Sequence, residues 1–250
     1  MNILYFTKSK KYTCKALEYM LKKHTVVGVV CKTRQIMLGT EMEKICKENG
    51  IEVFDNKELY RRIEENSMPD IDLAISNTFG RLIKPSFIDY VNGNCINLHG
   101  AILPDYKGLF TYNHGLMNEE KQWGVTAHYV NEKFDEGEII DIRKFSMDSK
   151  TISVQRLEEE TQKKAYELTI DLLERWSTEG RLPSYPQPLG GKYYSKEDFE
   201  TAKKILSTDS SDEVIKKIHA FWCPPYEGAY IEIDGVHFQL LSPEGNFDDK

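Results

Sequence analysis

The amino-acid sequence predicts an α/β protein with a Rossmann-like, mostly parallel sheet between helical layers, followed by a small C-terminal α+β appendage. Three observations carry this. Short apolar or β-rich runs at residues 1–6, 26–31, 51–54, 73–77 and 95–99 alternate, over the first four, with stretches rich in Lys and Glu. Strands alternating with helices build a parallel sheet. A stretch with three prolines and two glycines, residues 182–191, then breaks the chain before a region of different pattern.

Each element has its own signal. Residues 126–130 and 139–145 read as two further strands joined by the loop 131–138. From 153 to 177, Val154, Leu157, Ala165, Leu168, Leu172 and Trp176 keep one helical face, with Thr161 the polar interruption, so this helix should lie on the sheet. Beyond the linker, Ser195 can cap a helix reaching about residue 206, and 212–220 suggests another. Residues 230–233 and 236–241 flank Asp234-Gly235, a hairpin signal. The expected division is a main domain at 1–180, a linker at 181–191 and a subdomain at 192–250.

Composition narrows the class. The chain has 250 residues and 40 % hydrophobic content, enough for one sizeable core. No apolar run approaches the roughly 20 residues of a membrane span, and residues 1–6 lead into Thr7-Lys8-Ser9-Lys10 rather than a signal-peptide core, so a cytoplasmic protein is expected. The five cysteines are scattered, with no C-x-x-C pair, which suggests neither a disulfide framework nor a zinc site. A formal charge of −7 disfavours attraction to nucleic acid, while leaving room for a local basic pocket.

Two stretches carry chemistry. In Cys95-Ile-Asn-Leu-His-Gly-Ala-Ile-Leu-Pro-Asp-Tyr-Lys-Gly108, strand alternation points Asn97 and His99 one way and Ile96 and Leu98 the other. Both polar heads therefore emerge at the carboxyl end of a strand, the edge where open α/β sheets bind ligands. An Asn and a His satisfied by nearby backbone is the plainer alternative. In the second stretch, Gly124-Val-Thr-Ala-His-Tyr-Val-Asn-Glu-Lys-Phe-Asp-Glu-Gly-Glu-Ile-Ile140, Asp135 sits in a loop able to turn its carboxylate toward that edge, although such a loop can equally be a solvated turn.

Taken in order, Asn97-x-His99, then Gly-Ala-x-Leu-Pro-x-Tyr-x-Gly, Gly-Val-Thr-x-His and Asp135-x-Gly137-x-Ile139-Ile140 resemble the catalytic core of the formyltetrahydrofolate-dependent formyltransferases. The likeness covers roughly residues 1–176 and is most like the sugar-nucleotide N-formyltransferases, in contrast to the methionyl-tRNA and glycinamide ribonucleotide enzymes. It implies the formyltransferase fold, N10-formyltetrahydrofolate as co-substrate, no metal, and a catalytic set of Asn97, His99 and Asp135. An amine would attack the formyl carbon, the Asn97 amide and His99 imidazole would serve the oxyanion, and Asp135 would orient His99 and help take the amine proton. Phe79, Gly80, Arg81 and Ile83, with Val130, would line the folate pocket, largely through backbone groups, with core packing the alternative for Phe79 and Ile83.

The acceptor follows from regions outside the core. The C-terminal region resembles the sugar-nucleotide enzymes in Gly190-Gly-Lys-Tyr-Tyr194 and Phe221-Trp-Cys-Pro-Pro-Tyr-Glu-Gly-Ala-Tyr230, and its acidic residues Glu227, Glu232, Asp234, Glu244, Asp248 and Asp249 argue against a tRNA-gripping domain. Trp222 and Tyr226 are candidates to stack a nucleobase, or else to glue subunits together. Tyr112 and Asn113 would face the acceptor sugar, and Lys8 and Lys10 the pyrophosphate. The expectation is a homodimer that formylates a nucleotide-linked amino sugar, such as dTDP-4-amino-4,6-dideoxyglucose, for lipopolysaccharide O-antigen or another surface glycan. The rivals are a methionyl-tRNA formyltransferase-like enzyme, a formyltetrahydrofolate hydrolase, whose usual amino-terminal regulatory domain is not seen ahead of Met1, and a non-catalytic folate or nucleotide-binding module.

Overall fold

The computed structural model describes residues 1–241. Glu244, Asp248 and Asp249 of the acidic tail lie outside the described residues. The chain forms, in order, β1 (Asn2–Thr7), α1 (Lys11–Lys23), β2 (Thr25–Cys31), α2 (Glu41–Glu48), β3 (Val53–Asp55), α3 (Asn56–Glu64), β4 (Leu73–Asn77), α4 (Pro85–Tyr90), β5 (Cys95–His99), β6 (Tyr106–Gly108), α5 (Thr111–Met117), β7 (Gln122–Tyr129), β8 (Ile139–Ser146), α6 (Val154–Glu179), β9 (Lys192–Tyr194), α7 (Lys196–Lys203), α8 (Ser211–Phe221), β10 (Tyr230–Ile233) and β11 (Val236–Gln239).

Seven strands make one sheet in the order β3-β2-β1-β4-β5-β7-β8. The pairs from β3 to β5 are parallel, and β7 runs antiparallel to β5. The central strands β1 and β4 are buried almost throughout, as strands covered on both faces must be. One face carries Tyr5, Ile75, Ile96 and Leu98 into a core with Ala165, Leu168 and Leu172 of α6; the other carries Leu4, Phe6, Ala74 and Cys95 into a second core with Phe54 and Phe87. Helix starts follow local chemistry: Thr40 accepts from the Glu43 amide and Asp55 from the Glu58 amide, satisfying first-turn donors of α2 and α3. Ser195 and Ser210 do the same for α7 and α8, each in a capping box.

Two compact units result. One comprises Met1–His99, Val125–Arg143 and Gln162–Pro188; the other comprises Gly100–Gly124, Lys144–Thr161 and the described residues from Leu189 onward. This differs from a cut at the proline-rich segment. Ala101, Tyr106, Leu116, Trp123, Val154 and Leu157 share a core with Tyr194, Ile205, Ile218 and Phe221. These partners are far apart in sequence, and no periodicity announces them. Within the segment expected to be a linker, Tyr185 forms an antiparallel bridge with Ile139 of the first unit.

Element boundaries shift by small amounts: α7 stops at Lys203, β3 starts at Val53 and β7 begins at Gln122. Four short elements carry no sequence expectation, namely α4, α5 and the parallel pair β6–β9. The hairpin β10–β11 turns at Asp234-Gly235 as expected, with both residues at positive φ.

Candidate active site

Strand register gathers the first part of the site. Asn97 lies opposite Ser76 of β4 and His128 of β7, and His99 lies opposite Thr126. All five side chains therefore share one face at the carboxyl end of the parallel strands, while Ile96 and Leu98 enter the core beneath α6. Asn97 and His99 do point the same way.

The loop after β7 brings in the carboxylate. Asp135 adopts φ +54°, a left-handed conformation that Asp tolerates better than most residues, and is 8 % exposed. Two features fold the loop back. Gly137 packs so close to β7 that a Cβ there would collide with the Tyr129 carbonyl oxygen. Gln187, from the former linker, donates through Nε2 to the Asp135 and Gly137 carbonyl oxygens, each at 2.8 Å. Asp135 Oδ1 then stands 3.4 Å from His99 Nδ1, 3.5 Å from His128 Nε2 and 3.5 Å from Asn97 Nδ2. These separations are long for hydrogen bonds.

Proton accounting sharpens the roles. His128 Nδ1 is 2.8 Å from the Tyr129 carbonyl, which can only accept, so that nitrogen carries the proton. In the neutral ring Nε2 is then an acceptor, and Asn97 Nδ2 donates to it at 3.1 Å. The second Asn97 N–H faces Asp135 Oδ1. Both amide hydrogens are thus directed at acceptors inside the cluster, and Oδ1 is the part of the amide without a partner among the described residues. The expectation for Asn97 is an oxyanion donor; in this structure both of its amide hydrogens face His128 and Asp135. His128 and Gln187 were missed as site residues. The Gly-Val-Thr-x-His motif did contain His128, whereas nothing local marks Gln187.

The loop from Asn77 to Lys84 tests the folate expectation. Phe79 and Ile83 are buried in the core, Phe79 edge-on to Phe6 at 5.1 Å. Val130 also packs against that core, and its amide donates to the Cys95 carbonyl at 2.8 Å. Gly80 and Arg81 are exposed, and Gly80 takes φ +67°. Among the described residues, the backbone of residues 79–83 makes no hydrogen bond, and Asn77 Oδ1 and Thr78 Oγ1 are buried without partners. Thr78, a β-branched residue at φ +62°, is a genuine backbone outlier. A strained loop with unpaired amides, carbonyls and side-chain oxygens fits a polar heterocycle such as a pterin.

The other candidates fall separately. Lys8 and Lys10 stand between β1 and α1, their carbonyl oxygens accepting from Thr13 Oγ1 at 2.8 and 3.0 Å. In the second unit, Asn113 is buried and donates to the Ala220 carbonyl at 2.8 Å, tying α5 to α8. Tyr112 is half-buried against Gly100, Trp222 is half-buried at the end of α8, and Tyr226 is 73 % exposed. Among the described residues no cluster of His, Cys, Asp and Glu could hold a metal ion, and no helix is long and apolar enough to cross a membrane.

A Rossmann-like, mostly parallel sheet thus gathers Asn97, His99 and Asp135 at its carboxyl edge. The chain belongs to the formyl transferase family, whose pattern matches residues 2–173. Among curated relatives it is 22 % identical to methionyl-tRNA formyltransferase from Ehrlichia ruminantium, over 98 % of this chain and 80 % of that protein. It is 33 % identical to phosphoribosylglycinamide formyltransferase from Escherichia coli, over 52 % of this chain and 61 % of that one. Among solved structures, a 4-N formyltransferase from Francisella tularensis superposes with a TM-score of 0.79 at 19 % identity, covering 96 % of both chains. An N-formyltransferase from Helicobacter canadensis, in complex with folinic acid and dTDP-3-aminofucose, gives a TM-score of 0.73 at 22 % identity, covering 94 % of this chain and 84 % of that one. At these identities the structural likeness establishes the fold.

Proposed function

We propose that this protein transfers a formyl group from N10-formyltetrahydrofolate to the amine of a nucleotide-linked amino sugar. The observation that carries formyl transfer is the convergence of Asn97, His99 and Asp135 within 3.5 Å contacts on one sheet edge. When bound, the folate supplies the activated formyl carbon. Asp135 accepts from His99 Nδ1–H and thereby aims Nε2 at the reacting centre, where Nε2, carrying a proton of its own in the imidazolium form, donates to the developing oxyanion. Asn97, anchored through both amide hydrogens, directs Oδ1 at an N–H of the incoming amine and so aligns the nitrogen lone pair. Asp135 takes the proton that the amine gives up, and as the tetrahedral adduct breaks its bond to the tetrahydrofolate N10 an equivalent proton goes to that departing nitrogen. His128 acts by holding Asn97, and Gln187 by holding the Asp135 backbone.

A sugar-nucleotide acceptor is supported by a net charge of −7, which opposes tRNA, and by the Trp222–Tyr226 segment with its exposed ring. Solved sugar N-formyltransferases of the same fold match nearly the whole chain. In this reading Lys8 and Lys10 meet the pyrophosphate, the product serves a surface glycan such as O-antigen, and the enzyme works in the cytoplasm as a homodimer. The curated relatives favour a second reading, methionyl-tRNA as acceptor. Incubation with formyl donor and a panel of dTDP-, UDP- and GDP-linked amino sugars, alongside methionyl-tRNA, decides between them by mass spectrometry of the products. Formylation of methionyl-tRNA alone would reject the sugar reading.

A further inference from the structure

The proline-rich segment from Arg181 to Pro188 belongs to the first unit and is fastened to it at five residues. The Arg181 guanidinium lies 4.0 Å over the Tyr129 ring. It also donates to the Gly93 carbonyl at 3.1 Å and to Asn94 Oδ1 at 3.0 Å, in the turn just ahead of β5. The Leu182 carbonyl accepts from the Tyr129 hydroxyl at 2.9 Å. Ser184 Oγ donates to Glu138 Oε2 at 2.6 Å, and Tyr185 exchanges both backbone hydrogen bonds with Ile139, at 2.8 and 2.9 Å. Gln187 ends the series on the Asp135 and Gly137 carbonyls. The segment thus grips the connection between β7 and β8 from Asp135 to Ile139.

The attachment is discontinuous. Pro183, Pro186 and Pro188 have no amide to donate, so the pairing with β8 cannot extend as a ladder beyond the bridge at Tyr185. Of the eight residues only Leu182 is buried. A segment with one ladder pair and little apolar burial opens locally at a lower free energy than the sheet it lies on. Gln187 stands between two prolines, so neither neighbour offers an amide that could hold it in place. Its seat against the Asp135 loop then depends on the contacts upstream, at Arg181 and Ser184.

We propose that Arg181 and Ser184 are positioning residues for formyl transfer: they dock residues 181–188 as a strap, and docking of the strap sets the Asp135 carboxylate against His99. The inference rests on the catalytic role given to Asp135 above. Arg181 secures the strap to the Tyr129 ring and to the turn before the strand that carries Asn97 and His99. Ser184 secures it to Glu138, one residue beyond Gly137, so that the loop is held from both sides of that glycine.

The test is amide hydrogen exchange on the ligand-free protein, together with formyl-transfer kinetics, for R181A/S184A, which leaves Gln187, Asp135 and His99 in place. Exchange at the Tyr185 amide and through residues 130–137 should accelerate together by about tenfold, as loss of two anchoring side chains implies, while β1 and β4 exchange as in the parent protein. Turnover should fall about fivefold or more, with KM for the acceptor unchanged and the pH–rate profile shifted. R181K/S184T, which keeps a cation and a hydroxyl at these positions, should recover most of both. Faster exchange at Tyr185 with residues 130–137 unaffected would overturn the inference, because the strap would then open without the loop. Coupled exchange with unaltered turnover and pH–rate profile would overturn it as well. Full activity in Asp135→Asn would strike at the catalytic reading itself, an outcome that the exchange data cannot mimic.

Discussion

Asp135 Oδ1 stands 3.4 Å from His99 Nδ1, and the backbone that holds it there has φ +54°. The carboxylate therefore reaches the imidazole from a loop, not from a strand, and the pair depends on everything that keeps this loop folded back.

Replacing His99 by Asn or Ala should lower turnover by roughly two to four powers of ten while folate affinity stays within a few-fold, as removal of a preorganised donor or proton carrier does. Single-turnover rates and calorimetry check it. Near-normal turnover would remove His99 from the mechanism.

Asp135→Asn should lose much of the same activity, and the double variant with His99→Ala should be barely slower than either single one, because the residues act as a unit. Additive losses would mean that the two serve separate steps.

Gly137→Ala and Gln187→Ala should both displace the Asp135 loop, the first by collision with the Tyr129 carbonyl and the second by removing two hydrogen bonds of 2.8 Å. The expected signature is a fall in kcat of about tenfold or more, with little change in KM for the acceptor and a shifted pH–rate profile. An unaltered pH–rate profile would indicate a purely structural contribution.

Burial holds His114 neutral, its pKa pushed down to about 4, and it depresses His219 as well. The unfolded chain binds these protons first, so stability is fully present above the unfolded histidine pKa of about 6.5 and is lost as pH falls toward 4. Denaturant titrations should show a decline on the order of a few kcal/mol across that window, and His114→Gln should flatten part of it. A flat profile in the parent protein would contradict the burial.

Trp222→Ala should raise KM for the nucleotide sugar about tenfold if the ring stacks the base, matching the roughly 1–3 kcal/mol of base–aromatic stacking. An unchanged KM with loss of the dimer would assign Trp222 to an interface and move the search for the base to Tyr226.

Much of this molecule is written locally. Alternating apolar runs specify the strands because side chains one apart on a strand face opposite layers, and that same period set Asn97 and His99 on one face. Ser195 and Asp234-Gly235 announce a helix start and a hairpin through backbone chemistry confined to a few residues. Tertiary structure decided what depends on distant partners. It joined residues 100–124 and 144–161 to the C-terminal region through a shared core, and turned the expected linker residue Gln187 into a tie for the Asp135 loop. It buried Asn113, and it spent both Asn97 amide hydrogens on His128 and Asp135. Which donor meets which acceptor is settled by three-dimensional packing and by the cost of leaving a buried polar group unpaired, and neither has a period along the chain.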